Sequence, residues 1–519
     1  MSSLNFIIFC PLVGAAVIAA TPRSYQFLFR LIALAASLGS LVGALGLFLR
    51  FQSGGAGFQF ETNIPWVDTL GISYHVGVDG LNIGLLLMAS VVAFSAACVS
   101  WEITERSKEY YCLLLMMIGG ILGAFASLDL FCFYFFHELA LVPTFIMIGV
   151  WGRGADKNYA TFKMTLYLSL GALIALAGLI LLYVNLGANT LDIPTLTARV
   201  LVNPLPLATQ HLIFPLLLFG FGILISLWPF YTWAPMGYGA APTATAMLHA
   251  GALKKFGLYG LIRVALPLLP DAARSWAHVI AILCLGNILF CGLVAMRQKD
   301  LNLLLGNSSV AHMGFVFLGI ASLSLLGITG AVVIMVAHGF LAALSFGLSG
   351  YIYQRTGTLN MDQLGGGLLR QLPFIGTALT MAMLAGCGLP GFANFPGEAL
   401  VLFGAWQAYP WVVVLAAWGA LIIAAVYMFR AMRAILHGPI PERWTSLLDA
   451  PHLGFKLPYI LLLVSLLVFG FVPRLLVNKI KPSAARIVAA MQGTTRAAPK
   501  IASLAEKPTI ASAASPVSR

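Results

Sequence analysis

The sequence predicts an all-α polytopic membrane protein with about 14 transmembrane helices. Three observations predict it. Of 519 residues, 60% are hydrophobic and 9% are charged, against about 25% charged in soluble domains. Apolar runs of about 20 residues recur along the chain, the length a helix needs to span ~30 Å of hydrocarbon. The short in-and-out alternation of a membrane barrel is absent, which leaves a helical bundle.

Hydropathy places the first spans near 4–21, 27–50, 78–100, 110–128, 131–152, 160–186, 208–229 and 243–268. Six more follow near 275–296, 302–322, 325–353, 371–391, 396–427 and 455–477. The first lacks a basic n-region and a convincing cleavage site, so it reads as a retained helix and not a signal peptide. Loops after odd-numbered spans carry most of the Lys and Arg, among them Arg23, Arg106, Lys108, Arg153, Arg297 and Arg430. Loops after even-numbered spans hold little beyond Arg50, Arg199 and Arg274. The positive-inside rule then predicts a multi-pass protein of a bacterial inner membrane with both termini on the periplasmic side.

Residues 479–519 hold seven Lys/Arg and one Glu among Ala, Ser, Pro and Thr, which predicts a basic, disordered tail. That tail supplies half of the net charge of +12, so the charge gives no argument for nucleic acid. Seven cysteines lie scattered with no C-x-x-C pair. Iron–sulfur, zinc and disulfide frameworks are therefore not expected. No glycine-rich nucleotide loop follows a strand.

Two spans are interrupted. "LWPFYTWAPMGYGAAPTATAM" (227–247) contains Pro229, Pro235 and Pro242, and "GCGLPGFANFPGEAL" (386–400) contains Pro390 and Pro396. Proline removes an N–H and frees the carbonyl four residues back. Such backbone survives at membrane depth only where protein buries it or a wet cavity receives it. The breaks fall in the seventh and twelfth spans, five apart, as in a transporter built from two related halves.

Of the 17 acids, Glu138 and Glu398 lie clearly inside spans. Lys163, Lys254 and Lys255 are the matching cations, and His137, His249, His312 and His338 complete the set. A carboxylate at bilayer depth costs roughly 2.5–3.5 kcal/mol on insertion scales, so such residues point to ion pathways. Acid, lysine and histidine at one depth are the parts of a proton relay. The plainer readings are a structural ion pair for Glu138, a helix N-terminal carboxylate for Glu398 and a snorkelling cation for Lys163. For His137 and His249, helix-to-helix hydrogen bonding is the first expectation. Adjacent lysines on a regular helix are expected to diverge, leaving Lys255 and not Lys254 on the interior. Asp79 in "HVGVDGLN" reads as a helix cap.

Together these segments resemble the antiporter-like subunits of bacterial NADH:quinone oxidoreductase (respiratory complex I), in the subunit M and mitochondrial subunit 4 family. The likeness rests on "GISYHVGVDGLNIGLLLM", "FFHELALVPTFIMIGVWG", "HAGALKKFGLYGLIR", "LNLLLGNSSVAHMGFVFLGI" and "GLPGFANFPGEALVLFGAW". It implies a fourteen-helix fold with two inverted five-helix repeats and broken helices 7 and 12. The implied organisation is 1–108 (helices 1–3), 109–270 (first repeat), 271–438 (second repeat), 439–478 (helix 14) and 479–519 (tail). It also implies a proton-translocation axis of Glu138, Lys163, Lys255, His312, His338 and Glu398, with His137, Lys254 and His249 accessory. The chain itself is expected to hold no redox cofactor or metal. NADH, FMN, iron–sulfur clusters and quinone belong to partner subunits, and its own neighbours are sister antiporter-like subunits and lipid.

One departure stands out. The family carries a lysine a few residues before the first proline of helix 7, paired with the fifth-helix glutamate. Here "FGFGILISLWPFYTW" (219–233) contains no Lys or Arg. Either Lys163 or His137 takes that place, or the subunit is a variant with a weakened input path. The related alternatives are a subunit of a multisubunit cation/proton antiporter or membrane-bound hydrogenase, and a non-pumping spacer.

Overall fold

The computed structural model describes residues 3–55 and 57–502, with side chains to residue 492. The chain opens with α1 (Ser3–Ala20) and α2 (Gln26–Arg50), which pack on each other. An antiparallel hairpin follows, β1 (Gln59–Val67) and β2 (Ile72–Val78). Then come α3 (Ile83–Val99), α4 (Ser107–Ala126), α5 (Leu130–Trp151) and α6 (Lys157–Leu186). A short α7 (Ile193–Val202) leads to α8 (Leu207–Ile225), which breaks before α9 (Trp233–Ala240).

The next helical run joins α10 (Thr243–Leu248), α11 (Lys255–Gly260) and α12 (Leu266–Leu268) through π turns at His249–Leu253 and Leu261–Ala265. A third π turn, Gly286–Cys291, links α13 (Pro270–Leu285) to α14 (Gly292–Arg297). The long α15 (Leu301–Ala321) and α16 (Leu325–Thr356) precede two short turns, α17 (Met361–Leu364) and α18 (Leu368–Gln371). The second broken helix is α19 (Pro373–Gly386) and α20 (Asn394–Ala405). The chain closes with α21 (Pro410–Trp418), α22 (Ala424–Leu436), α23 (Leu453–Phe471) and α24 (Arg474–Ala502).

Among the described residues, 12 helical segments are long and apolar enough to cross a membrane. The run from α10 to α12 and the broken pair α19–α20 are further apolar segments beside them. Burial sorts the helices into shells. In α16 the most apolar stretch is wholly inside the protein, and α15 is 94% buried over its own. Helices α1, α2, α6 and α23 turn more than half of theirs outward, as helices facing lipid or a neighbouring subunit do. Loop acids are spent on helix starts: Asp129 accepts from Phe131 N and Cys132 N, Asp192 from Thr195 N, and Asp300 from Leu303 N. Each satisfies backbone donors that a helix N-terminus leaves free.

The structure corrects three expectations. Residues 479–502 are helical, not disordered. Leu476, Ile480, Ala484, Ile487 and Met491 recur every three or four residues and are buried, while Lys481 points outward. An amphipathic stripe on an alanine-rich segment overrides the composition. Residues 503–519 of the expected tail lie outside the described residues. The last apolar helix ends at Phe471, not 477, and Pro473 directly precedes α24. Asp79 is more than a local cap: its carboxylate also receives both Nη atoms of Arg263, at 2.9 and 2.5 Å, and both side chains are buried.

Candidate functional site

The two lysines sit where the helix widens. A π turn fits one extra residue into a turn and is common at functional sites. Here it spans His249–Leu253, directly before Lys254 and Lys255. Both lysines are buried, at 1% and 0% exposure, against the expectation that one diverges. The altered winding sends them to different neighbours. Lys254 Nζ donates to Ser309 Oγ of α15 at 3.3 Å. Lys255 Nζ donates to the carbonyl of Ala250 and contacts Nδ1 of His338, on α16, at 2.9 Å. No carboxylate pairs with either lysine among the described residues.

From His338 the polar string continues. The His338 and His312 rings lie 5.6 Å apart, centre to centre. His312 faces the carbonyl of Ser308 from Nδ1 at 2.7 Å and that of Gly386 from Nε2 at 3.1 Å. A neutral imidazole donates from one nitrogen only, so both bonds form together only in the imidazolium. His312 therefore gains a hydrogen bond when it takes a proton.

Gly386 ends α19, so His312 reads the backbone at the second helix break. Beyond it lies a small cavity lined by His312, Gly386, Cys387, Glu398 and Tyr427, among others. A second one, also lined by His312, touches Ser308, Ser309, His338 and Ser345. Each has room for about one water. Glu398 is 7% exposed and projects from the first turns of α20, with no salt-bridge partner among the described residues. Lys255, His338 and His312 thus follow one another as a buried string, and Glu398 lines the cavity at its His312 end.

Glu138 stands apart from that string. Its side chain is 32% exposed, with the Tyr134 hydroxyl beside it and His137 Nδ1 3.4 Å from Oε1. Both atoms are buried without a hydrogen-bond partner. The stretch 219–233 that lacks the implied lysine contributes Phe221 to an aromatic cluster beside His137. Phe133 stacks on Phe256 at 4.2 Å, Phe221 meets both edge-on, and His137 stacks on Phe256 at 3.9 Å. Phe256 follows Lys255 in sequence, so His137 packs on the helix that carries the two lysines.

Lys163 is half-buried on α6, with Nζ 3.6 Å from Met236 Sδ and 5.8 Å from the Tyr159 ring centre. It forms no ion pair with Glu138 and does not join the string. His249 contacts the Tyr238 hydroxyl at 3.3 Å and packs on the edge of Trp233, a helix-joining contact. Sequence reasoning missed Arg263, buried at 5% exposure and bonded to Asp79 and Tyr259. Its signal, an arginine in an apolar run opposite a buried aspartate 184 residues away, exists only in three dimensions.

Residues 127–424 match the model of the NADH:quinone oxidoreductase/Mrp antiporter transmembrane family. NADH-quinone oxidoreductase subunit M of Rhodobacter capsulatus is 32% identical over 500 residues, covering 93% of this chain and 96% of the relative. Among solved structures, a chain of respiratory complex I from Thermus thermophilus with bound NADH superposes with a TM-score of 0.85 at 26% identity. That match covers 94% of this chain and 99% of the other. A chain of the Mrp complex from Dietzia sp. DQ12-45-1b gives 0.80 at 19% identity over 94% and 99%, a likeness of fold. The chain belongs to the NADH:quinone oxidoreductase/Mrp antiporter transmembrane family.

Proposed function

We propose that this chain is a proton-translocating membrane-arm subunit of a complex I-type NADH:quinone oxidoreductase. Its fold supports fourteen crossings: the 12 long helices together with the α10–α12 run and the α19–α20 pair. The breaks after Ile225 and after Gly386 fit two inverted five-helix repeats. Both termini then face the periplasm of a bacterial inner membrane. Electron transfer from NADH to quinone belongs to partner subunits, with their flavin and iron–sulfur clusters.

The observation that carries this reading is the buried string from Lys255 through His338 and His312 to Glu398. Buried ionisable groups within spans serve ion pathways. The first half-bundle contributes Lys255 and the broken helix of the second contributes Glu398, so a proton passed along the string crosses from one half to the other. Glu138 loads the string through His137. Its open side meets the neighbouring antiporter-like subunit, since an ionised carboxylate facing lipid is costly.

The test is quinone-coupled proton uptake by the whole complex in vesicles carrying Glu398→Gln. Proton uptake falling by about tenfold or more, the scale of losing one positioned acid–base group, supports the reading. Unchanged uptake refutes it. A second reading, a non-pumping spacer, is favoured by the absence of a lysine from 219–233. In that case Glu138→Gln and Glu398→Gln alike leave proton uptake and quinone reduction as they were.

A further inference from the structure

Glu102 lies in the short turn Ser100–Glu102 after α3, with 14% of its side chain exposed. Its Oε1 accepts from Thr243 N at 3.0 Å. Its Oε2 accepts from Thr243 Oγ1 at 3.1 Å and from Gln354 Nε2 at 2.6 Å. Thr243 is the first residue of α10, and Gln354 is in the last turn of α16. One carboxylate therefore caps the helix that leads to Lys255 and grips the end of the helix that carries His338.

The two helices meet closely at this point. A β-carbon on Gly350 of α16 would stand 2.3 Å from Thr243 Cγ2. Arg153 completes the junction: its backbone N donates to Ala240 O at 2.7 Å, and its Nη2 donates to Thr243 Oγ1. Its guanidinium lies 4.7 Å from the centre of the Tyr353 ring on α16, and only 3.7 Å separates it from Glu102. Its Nη1 is buried with no hydrogen-bond partner, while Glu102 accepts three hydrogen bonds.

We propose that Glu102 is a positioning residue for the proton relay: it fixes the axial alignment of the lysine helix against α16, and with it the Lys255–His338 contact. At 1.5 Å per residue, Thr243 is ~18 Å from Lys255 along its helix, and Gln354 is ~24 Å from His338 along the other. Both helices are fixed at the same end. A slip of about 1 Å along the 2.9 Å contact takes it out of hydrogen-bonding range, and a slip across it bends the bond. This inference rests on the relay reading above.

The experiment uses the intact complex in vesicles, with quinone reduction, protons moved per electron, and the pH profile of proton transport read together. Glu102→Gln keeps the size but turns one acceptor into a donor facing two donors. Thr243→Val removes the hydroxyl, and Glu102→Asp keeps the charge on a shorter arm. We expect Glu102→Gln and Thr243→Val to assemble, to lose about tenfold or more in proton transport with a shifted pH profile, and Glu102→Asp to recover part of it. A purely structural junction predicts lower assembly with normal proton transport per assembled complex, and that result overturns the proposal. Normal transport and pH profile in both variants, alongside a defective Glu398→Gln, overturns the positioning role and leaves the relay standing. If Glu398→Gln also pumps normally, the relay reading has failed and the positioning role falls with it.

Discussion

Lys255 Nζ lies 2.9 Å from Nδ1 of His338, and no carboxylate is within salt-bridge distance of that lysine among the described residues. A lysine that meets a histidine and a carbonyl inside a membrane bundle has its proton's next acceptor in contact. Replacing His338 by Leu removes that acceptor and leaves only the Ala250 carbonyl. Proton transport is expected to fall by about 10²-fold or more, with the complex still assembled. Transport at the normal rate in the assembled variant contradicts the contact's role.

Gly388 and Glu398 give a sharper steric test. Gly388 has φ +67°, and a β-carbon there would lie 2.5 Å from Glu398 Oε2. Gly388→Ala adds about 1–2 kcal/mol of left-handed strain and pushes the carboxylate out of its cavity. Proton transport is expected to drop as far as in Glu398→Gln, with only a modest loss in thermal stability. The neighbouring Gly391, at φ +101°, lies beyond the left-handed region and has 3.4 Å to Phe471, so Gly391→Ala costs at least as much strain and leaves Glu398 untouched. Equal transport in the two alanine variants contradicts the account.

The hairpin outside the bundle is pH-sensitive. His75 on β2 bridges Asp192 at 2.5 Å and Glu61 at 2.6 Å, while Asp129 accepts from the adjacent Ser73 N. Burial alone lowers the pKa of His75, but its bonds to Asp192 and Glu61 raise it above the usual histidine value. The stabilisation is complete below about 6.5, the unfolded value, and is lost as pH rises through the raised folded value. Burial raises the Asp192 carboxyl, yet bonds from His75 and Thr195 hold it below the usual range, so the clasp also weakens in strong acid. Hydrogen exchange of the β1–β2 amides, corrected for intrinsic base catalysis, is expected to accelerate on the alkaline side. His75→Gln abolishes that limb; a profile unchanged by the substitution contradicts it.

Asp79 and Arg263 predict a stability effect without a transport signature. Asp79→Asn leaves Arg263 buried against Tyr259 and the Phe58 ring, with no carboxylate among its described contacts. Breaking one side of a buried pair costs about 3–5 kcal/mol. Arg486 of α24 reaches Asp79 at 3.8 Å but is 46% exposed, so Arg486→Gln is expected to cost under about 1 kcal/mol. Thermal unfolding of the purified complex separates the two.

Much of the bundle is legible in the sequence because the bilayer leaves few choices: apolar length sets the spans, and proline and glycine mark both breaks. Glu398, His312 and His338 were legible for the same reason, as polar groups where polarity is expensive. The inward turn of both Lys254 and Lys255 was not, because a π turn breaks the 3.6-residue periodicity on which sequence reasoning relies. The β1–β2 hairpin was hidden in a connection between spans, where its short strands alternate weakly. α24 was hidden by composition: its Ala and Lys content matches disorder until Ile480, Ala484 and Ile487 find the bundle. The Glu102 junction joins residues 141 and 252 positions apart, a distance no local pattern spans.

The most direct test of the central claim is the number of protons moved per electron by the reconstituted complex carrying Lys255→Met. Methionine preserves volume and removes the amine in the middle of the string. The account predicts that the assembled complex moves fewer protons per electron than the unaltered one, at any pH. An unaltered ratio would mean that protons do not pass through Lys255, and would contradict it.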